Sequence, residues 1–146
     1  MSLYQKGKYW YGQNRDDLRL EMTRFSHLNG YEAKEFASSF CRCGNHFFCL
    51  ESDENEGIAR RICTQCNHAH LMGDSAEYIE DAELEEHICI CDNEQFELES
   101  AVALYDGSDD VRWYYIGCRC TNCSLIGVFA DWKCDGGNAT EFLAKI

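Results

Sequence analysis

Apolar positions in this chain fall at helical spacing near the start and at strand spacing from Phe47 onward. Leu18, Met22 and Phe25 stand at i, i+4 and i+7, one face of a helix. Asn14 or Asp16 precedes them as an N-cap, and Gly30 comes after as a stop. The spacing predicts one amphipathic helix in residues 1–40, its apolar stripe packed on the β units downstream. Beyond it, Phe47-Phe48-Cys49-Leu50 leads into the polar turn Asp53-Glu54-Asn55-Glu56-Gly57 and returns through Ile58 and Ile62 to Cys63. Later, Phe96, Leu98 and Ala101 to Tyr105 lead into Asp106-Gly107-Ser108-Asp109-Asp110 and return through Val111 to Ile116. Aromatic and β-branched residues around Gly/Asp turns signal hairpins. A third apolar segment comes after each, Ala69 to Met72 and Leu125 to Ala130. Between the units, the acidic run Glu77 to Glu86 reads as a solvated linker or a short helix capped by Asp74 or Asp81. Asn138 is placed to cap a last short helix, Ala139 to Lys145.

The two β units are copies. A shift of 48 residues lays Cys41-Arg42-Cys43 on Cys89-Ile90-Cys91, Asn45 on Asn93, Phe48 on Phe96, and Leu50-Glu51-Ser52 on Leu98-Glu99-Ser100. After a nine-residue insertion in the second hairpin, a shift of 57 lays Cys63-Thr64-Gln65-Cys66 on Cys120-Thr121-Asn122-Cys123. Four cysteines and a Leu-Glu-Ser run recurring together mark an internal duplication. Knuckle, hairpin, knuckle and strand resembles tandem zinc-ribbon proteins over residues 41–134. The expected fold is therefore mainly β, a small α+β architecture. It has an N-terminal helical segment over 1–40 and two pseudo-symmetric zinc-ribbon-like units over 41–88 and 89–146. A short helix ends the chain, and all the parts pack as one domain.

Two cysteines on one tight turn met by two on a distant turn supply four soft ligands for a structural metal. The candidate ligands are Cys41, Cys43, Cys63 and Cys66 for one ion, and Cys89, Cys91, Cys120 and Cys123 for a second. Zinc is expected, because a rubredoxin-type iron site uses two C-x-x-C turns and each copy here has one C-x-C. Whether the knuckles pair within a copy or are exchanged between copies is left open by spacing. Eleven cysteines leave Cys49, Cys118 and Cys134 over. Cys49 reads as a small buried hydrophobe. Cys118 forms the run Cys118-Arg119-Cys120-Thr121-Asn122-Cys123, and with Cys89-Ile90-Cys91 upstream this resembles the glutathione-dependent formaldehyde-activating family. That resemblance implies a β-rich fold and a zinc-dependent carbon–sulfur lyase-like activity on a glutathione adduct, with Cys118, Cys120 and Cys123 as catalytic zinc ligands. The family's closing C-x-x-C is absent downstream. His27, His46, His68, His70 and His87 read as imidazoles beside the knuckles, because the second copy has no histidine equivalent to His46, His68 or His70.

Composition narrows the function. Each copy is about fifty residues, a size at which a hydrophobic core alone is marginal and a metal is a common remedy. A hydrophobic content of 45% excludes a disordered chain. No apolar run approaches the roughly 20 residues of a membrane span. Met1 to Trp10 lacks the apolar core of a secretory signal, which points to the cytoplasm, where thiols stay reduced or bind metal. The net charge is −13, with 6 basic and 5 acidic residues before Cys41 but 3 basic and 11 acidic over 41–88. Such a surface repels phosphate backbones and excludes nucleic acid as a partner. The favoured expectation is a non-catalytic, zinc-stabilised interaction module that offers a negative face to a basic protein. In that expectation, Tyr105, Trp113, Tyr114, Tyr115 and Trp132 are mostly core, and a stripe left exposed on the longer arm would add a docking surface.

Overall fold

In a computed structural model, residues 3–77 and 79–146 of the protein are described. Both predicted hairpins form, each with its third strand. The first copy gives β4 (Phe48–Asp53), β5 (Ile58–Cys63) and β6 (Ala69–Leu71). The second gives β8 (Phe96–Leu104), β9 (Val111–Cys120) and β10 (Leu125–Lys133). The equivalence is kept in register: Phe48 pairs with Cys63 and Leu50 with Arg61, as Phe96 pairs with Cys120 and Leu98 with Cys118.

The two copies do not stand as separate ribbons. Phe48 pairs directly with Phe96, its own equivalent, and this antiparallel bridge fuses both units into one sheet. A position pairing with its own counterpart is the mark of a two-fold contact, here within one chain. Short strands before each knuckle strengthen it. β3 (Glu35–Ser38) precedes the first copy but pairs with β8 of the second. β7 (Glu85–Glu86) precedes the second copy but pairs with β4 of the first. Ser38 lies opposite Glu99, and Glu86 lies opposite Glu51, in the same relation. The strand leading into each first knuckle therefore pairs with the hairpin of the other knuckle. One core cluster runs through both halves, joining Leu50, Ala59 and Met72 to Tyr114, Trp132 and Phe142.

The N-terminal segment holds the expected helix, α1 (Arg15–Asn29). Asn14 caps it, its side chain accepting from the Asp17 N–H at 2.9 Å, and Gly30 ends it at φ 88°. The segment also holds β3 and an unforeseen hairpin of β1 (Tyr4–Lys6) and β2 (Tyr9–Tyr11), which extends the sheet beyond β10. Leu18 and Met22 are fully buried against Ala101, Ala103, Tyr115 and Ile126, with Phe25 alongside. The insertion explains this platform. It lengthens β8 and β9 to 9 and 10 residues, against 6 each in β4 and β5, so the added surface covers α1. The linker contains 3-10 turns at Ser75–Glu77 and at Ile79–Asp81 before β7. Asn138 caps α2 (Ala139–Leu143) as expected.

Gly117 sets how closely α1 approaches. A Cβ there would lie 2.4 Å from Met22 Sδ and 3.1 Å from Leu18 Cδ1, both fully buried. Gly117→Ala is expected to lower stability by about 1–3 kcal/mol through overpacking. Urea denaturation checks this, and an unchanged midpoint would show that the helix can slide at no cost.

Candidate metal centres

Each first knuckle is a tight turn closed by the backbone. The Cys41 N–H donates to the Asn45 carbonyl at 3.0 Å, and the Gly44 N–H to the Cys41 carbonyl at 2.9 Å. The second copy repeats both bonds, from Cys89 to Asn93 and from Asp92 to Cys89, at 2.9 and 2.8 Å. Gly44 and Asp92 both take left-handed backbone, at φ 93° and 72°. Gly and Asp are among the residues that tolerate this region. The C-x-x-C turns end the same way, with Asn67 and Ser124 at φ 62° and 68°.

These turns bring together the cysteines the sequence singled out, and they do so within each copy. Cys41, Cys43, Cys63 and Cys66 form one group and Cys89, Cys91, Cys120 and Cys123 the other, with all sulfurs of a group within 4.8 Å of one another. Cys41 Sγ lies 3.5 Å from Cys66 Sγ and Cys43 Sγ 3.6 Å from Cys63 Sγ; the second group repeats 3.5 and 3.6 Å. Metal–sulfur bonds of about 2.3 Å at tetrahedral angles place sulfurs roughly 3.8 Å apart, so either group fits a metal ion with little movement. None of the eleven cysteines is in a disulfide.

The polar surroundings favour the thiolate at one cysteine of each group, while neighbouring members such as Cys43, pushed up to about 12, are held as thiols in the absence of an ion. Asn45 Nδ2 donates to Cys63 Sγ at 3.2 Å, to the Phe47 carbonyl and to Thr64 Oγ1; Asn93 does the same to Cys120 Sγ, Gln95 and Thr121. These amides orient and tune the ligands. Burial works against the Cys63 thiolate, but donation from the Cys66 N–H, Asn45 and the Gln65 N–H prevails and brings its pKa to about 5. Donation from Asn122, then from the Asn93 backbone, brings Cys91 to about 6. Beside the first group, Arg61 is buried, and its Nε and Nη1 have no hydrogen-bond partner among the described residues.

Cys118 stays outside both groups, so the three-cysteine cluster with Cys120 and Cys123 does not assemble. The reason is strand geometry. Cys118 and Cys120 lie two residues apart on extended β9, roughly 6.6 Å along the strand, whereas the C-x-C pairs of the groups sit on turns. Cys118 is instead a core side chain, its thiol held protonated by burial. Cys134 is buried too, and burial pushes it up to about 12. Cys49 is only half-buried, because β4 turns it away from the face that buries Phe48 and Leu50. No histidine belongs to either group among the described residues. His87 Nε2 lies 2.6 Å from Ser52 Oγ, and His70 Nε2 lies 2.6 Å from the Lys145 carbonyl.

The aromatic stripe is not exposed. Tyr114 and Tyr115 are fully buried and Trp132 nearly so. Trp113 stacks on Tyr31 at 4.7 Å and donates to Asp131, while the Tyr105 hydroxyl donates to the Cys134 carbonyl. The open surface carries scattered apolar side chains, Leu28, Ile88 and Ile90 among them, and one concentrated group of acids. Asp53, Glu54, Glu83, Glu85 and Glu86 line a hollow of about 360 Å³ between the β4–β5 turn and β7, with Ser52 and His87. Asp53 is held by the backbone N–H groups of Asn55, Glu56 and Glu83. Among the described residues, Glu54, Glu83, Glu85 and Glu86 form no salt bridge. Partial desolvation and then the neighbouring Glu94 raise the Glu86 pKa. No described helix is long and apolar enough to cross a membrane. No protein-family model, no curated protein and no solved structure matches this chain.

Proposed function

We propose that the chain is a zinc-stabilised interaction module without a catalytic role, whose acidic hollow receives a basic protein partner. The zinc ligands in this reading are Cys41, Cys43, Cys63 and Cys66 for one ion and Cys89, Cys91, Cys120 and Cys123 for the other. Four sulfurs close each coordination sphere, which suits a structural ion and leaves no place for a substrate. The observation that carries the partner's chemistry is the hollow between the β4–β5 turn and β7, lined by five carboxylates, none of which forms a salt bridge among the described residues. Like charges held together are relieved when lysine or arginine side chains enter, and such pairing steers association.

The test uses a lysine-rich decapeptide as the basic probe. Glu83→Gln/Glu85→Gln/Glu86→Gln is compared with a charge-matched variant far along the sequence, Glu35→Gln/Asp106→Asn/Asp109→Asn. Calorimetric affinity at low salt is expected to fall about tenfold for the hollow variant and much less for the other. Equal losses would mean that only net charge attracts the probe, and the proposed face would fall.

A further inference from the structure

We infer that the two metal centres are unequal, with Arg61 the built-in counter-charge of the first, so that the second gives up its ion first at equilibrium. This rests on the reading of both cysteine groups as metal sites. Four thiolates around a divalent ion leave each centre with a charge of −2, whose stability depends on nearby cations and on access to water.

The register makes the comparison position by position. Arg61 faces Leu50 and His70 across its neighbouring strands; its equivalent, Cys118, faces Leu98 and Gly127. A guanidinium in one copy is thus a neutral thiol in the other. Arg61 is only 7% exposed and lies over the Phe48 ring at 4.7 Å. One nitrogen reaches the Ile146 carbonyl at 3.2 Å, but Nε and Nη1 are unspent. A buried cation with idle donors is costly by itself and becomes favourable beside an anionic centre. Arg61 and Cys63 lie two residues apart on β5, so strand alternation turns both to the same buried face, the face that carries the first group. Position 42 adds a second difference, Arg42 inside the first knuckle against Ile90 inside the second. Arg119, between Cys118 and Cys120, does not replace the missing charge. Alternation puts it on the other face of β9, where Glu97 holds it at 2.7 Å.

Solvation points the same way. Cys43 and Cys66 of the first group are exposed, whereas Cys91 and Cys123 of the second are only half-exposed. The second dianion is therefore more deeply buried and has no equivalent of Arg61. Exposure would let a chelator reach the first ion sooner, so rates and equilibrium are expected to differ in order.

The experiment loads the full chain with cadmium-113 and records its NMR signals, each assigned through couplings to its own cysteine β-protons. A chelator is then titrated at fixed neutral pH with full equilibration at each step. The signal coupled to Cys89, Cys91, Cys120 and Cys123 is expected to vanish first. Arg61→Met is expected to weaken the first centre by about tenfold or more, closing or reversing the gap, while Arg61→Lys keeps most of it. Simultaneous loss in the wild type, loss of the first centre before the second, or an Arg61→Met titration like the wild type's overturns the inference while leaving two metal sites in place. A protein that takes up no cadmium overturns the underlying reading instead.

Discussion

Stripping both ions with a strong chelator is expected to lower the Tm by about 20 °C or more and to open the middle of the sheet. Each four-cysteine group ties a turn near residue 42 or 90 to another more than twenty residues later. Moreover, both groups flank the Phe48–Phe96 pair that bridges the two hairpins. Cys63 is opposite Phe48, Cys120 is opposite Phe96, and Phe48 is opposite Phe96. Without an ion, crowded sulfurs at 3.5–3.6 Å have no reason to stay together, and the strands they anchor lose their ends beside that junction. Elemental analysis is expected to return two ions per chain, and calorimetry with and without chelator measures the difference. Cys63→Ser and Cys120→Ser are each expected to leave one ion bound. A metal-free chain with an unchanged melting curve would show that the apolar core suffices and that the cysteines are not structural ligands.

Local chemistry was legible from the sequence; the partners of the strands before the first knuckles were not. The cysteines are spaced by covalent geometry, so C-x-C and C-x-x-C already place sulfurs on turns; which turns meet, left open by spacing, is decided by the hairpin that joins them within each copy. Asn14, Gly30 and Asn138 act through bonds to residues within three or four positions, which a one-dimensional pattern carries. Those two strands escape such reading. β7 is two glutamates, Glu85-Glu86, and β3 is Glu-Phe-Ala-Ser, neither with an alternating apolar face of its own. They are strands because β4 and β8 offer free backbone edges beside the Phe48–Phe96 bridge. Ala37 and Ser38 fall on Glu85 and Glu86 under the same shift of 48, but no residue type is shared there, so the equivalence shows only in the pairing. The aromatic arm is covered by residues too distant in sequence for a local pattern to reveal. Tyr31 from the N-terminal segment stacks on Trp113, and Phe142 from α2 meets Tyr114 edge-on at 4.8 Å.

Replacing Glu99 by leucine is expected to remove about 3–5 kcal/mol of stability, whereas Glu51→Leu, at the equivalent position, removes about 1 kcal/mol or less. Both glutamates belong to the repeated Leu-Glu-Ser run, yet their surroundings diverged with the insertion and the N-terminal helix. Glu99 is fully buried and accepts from Arg15 Nη1 at 2.6 Å and from Arg19 Nε, both on α1. Arg15 also donates to the Leu98 carbonyl at 2.7 Å and approaches Glu97, which Arg119 holds from the other side. The carboxylate is thus the anion under the helix; its loss leaves Arg19 without a charge to meet and Arg15 with only Glu97, which it shares with Arg119. Glu51 pairs with Arg60 across β4 and β5 where both remain open to water, so screening keeps that pair weak. Urea titrations of the two variants give the comparison directly, and Arg19→Met combined with Glu99→Leu should recover part of the loss by removing one stranded cation. Equal losses at Glu51 and Glu99 would show that the repeated run serves the strand alone. In that case α1 would be held by Leu18 and Met22 without help from the charges beneath it.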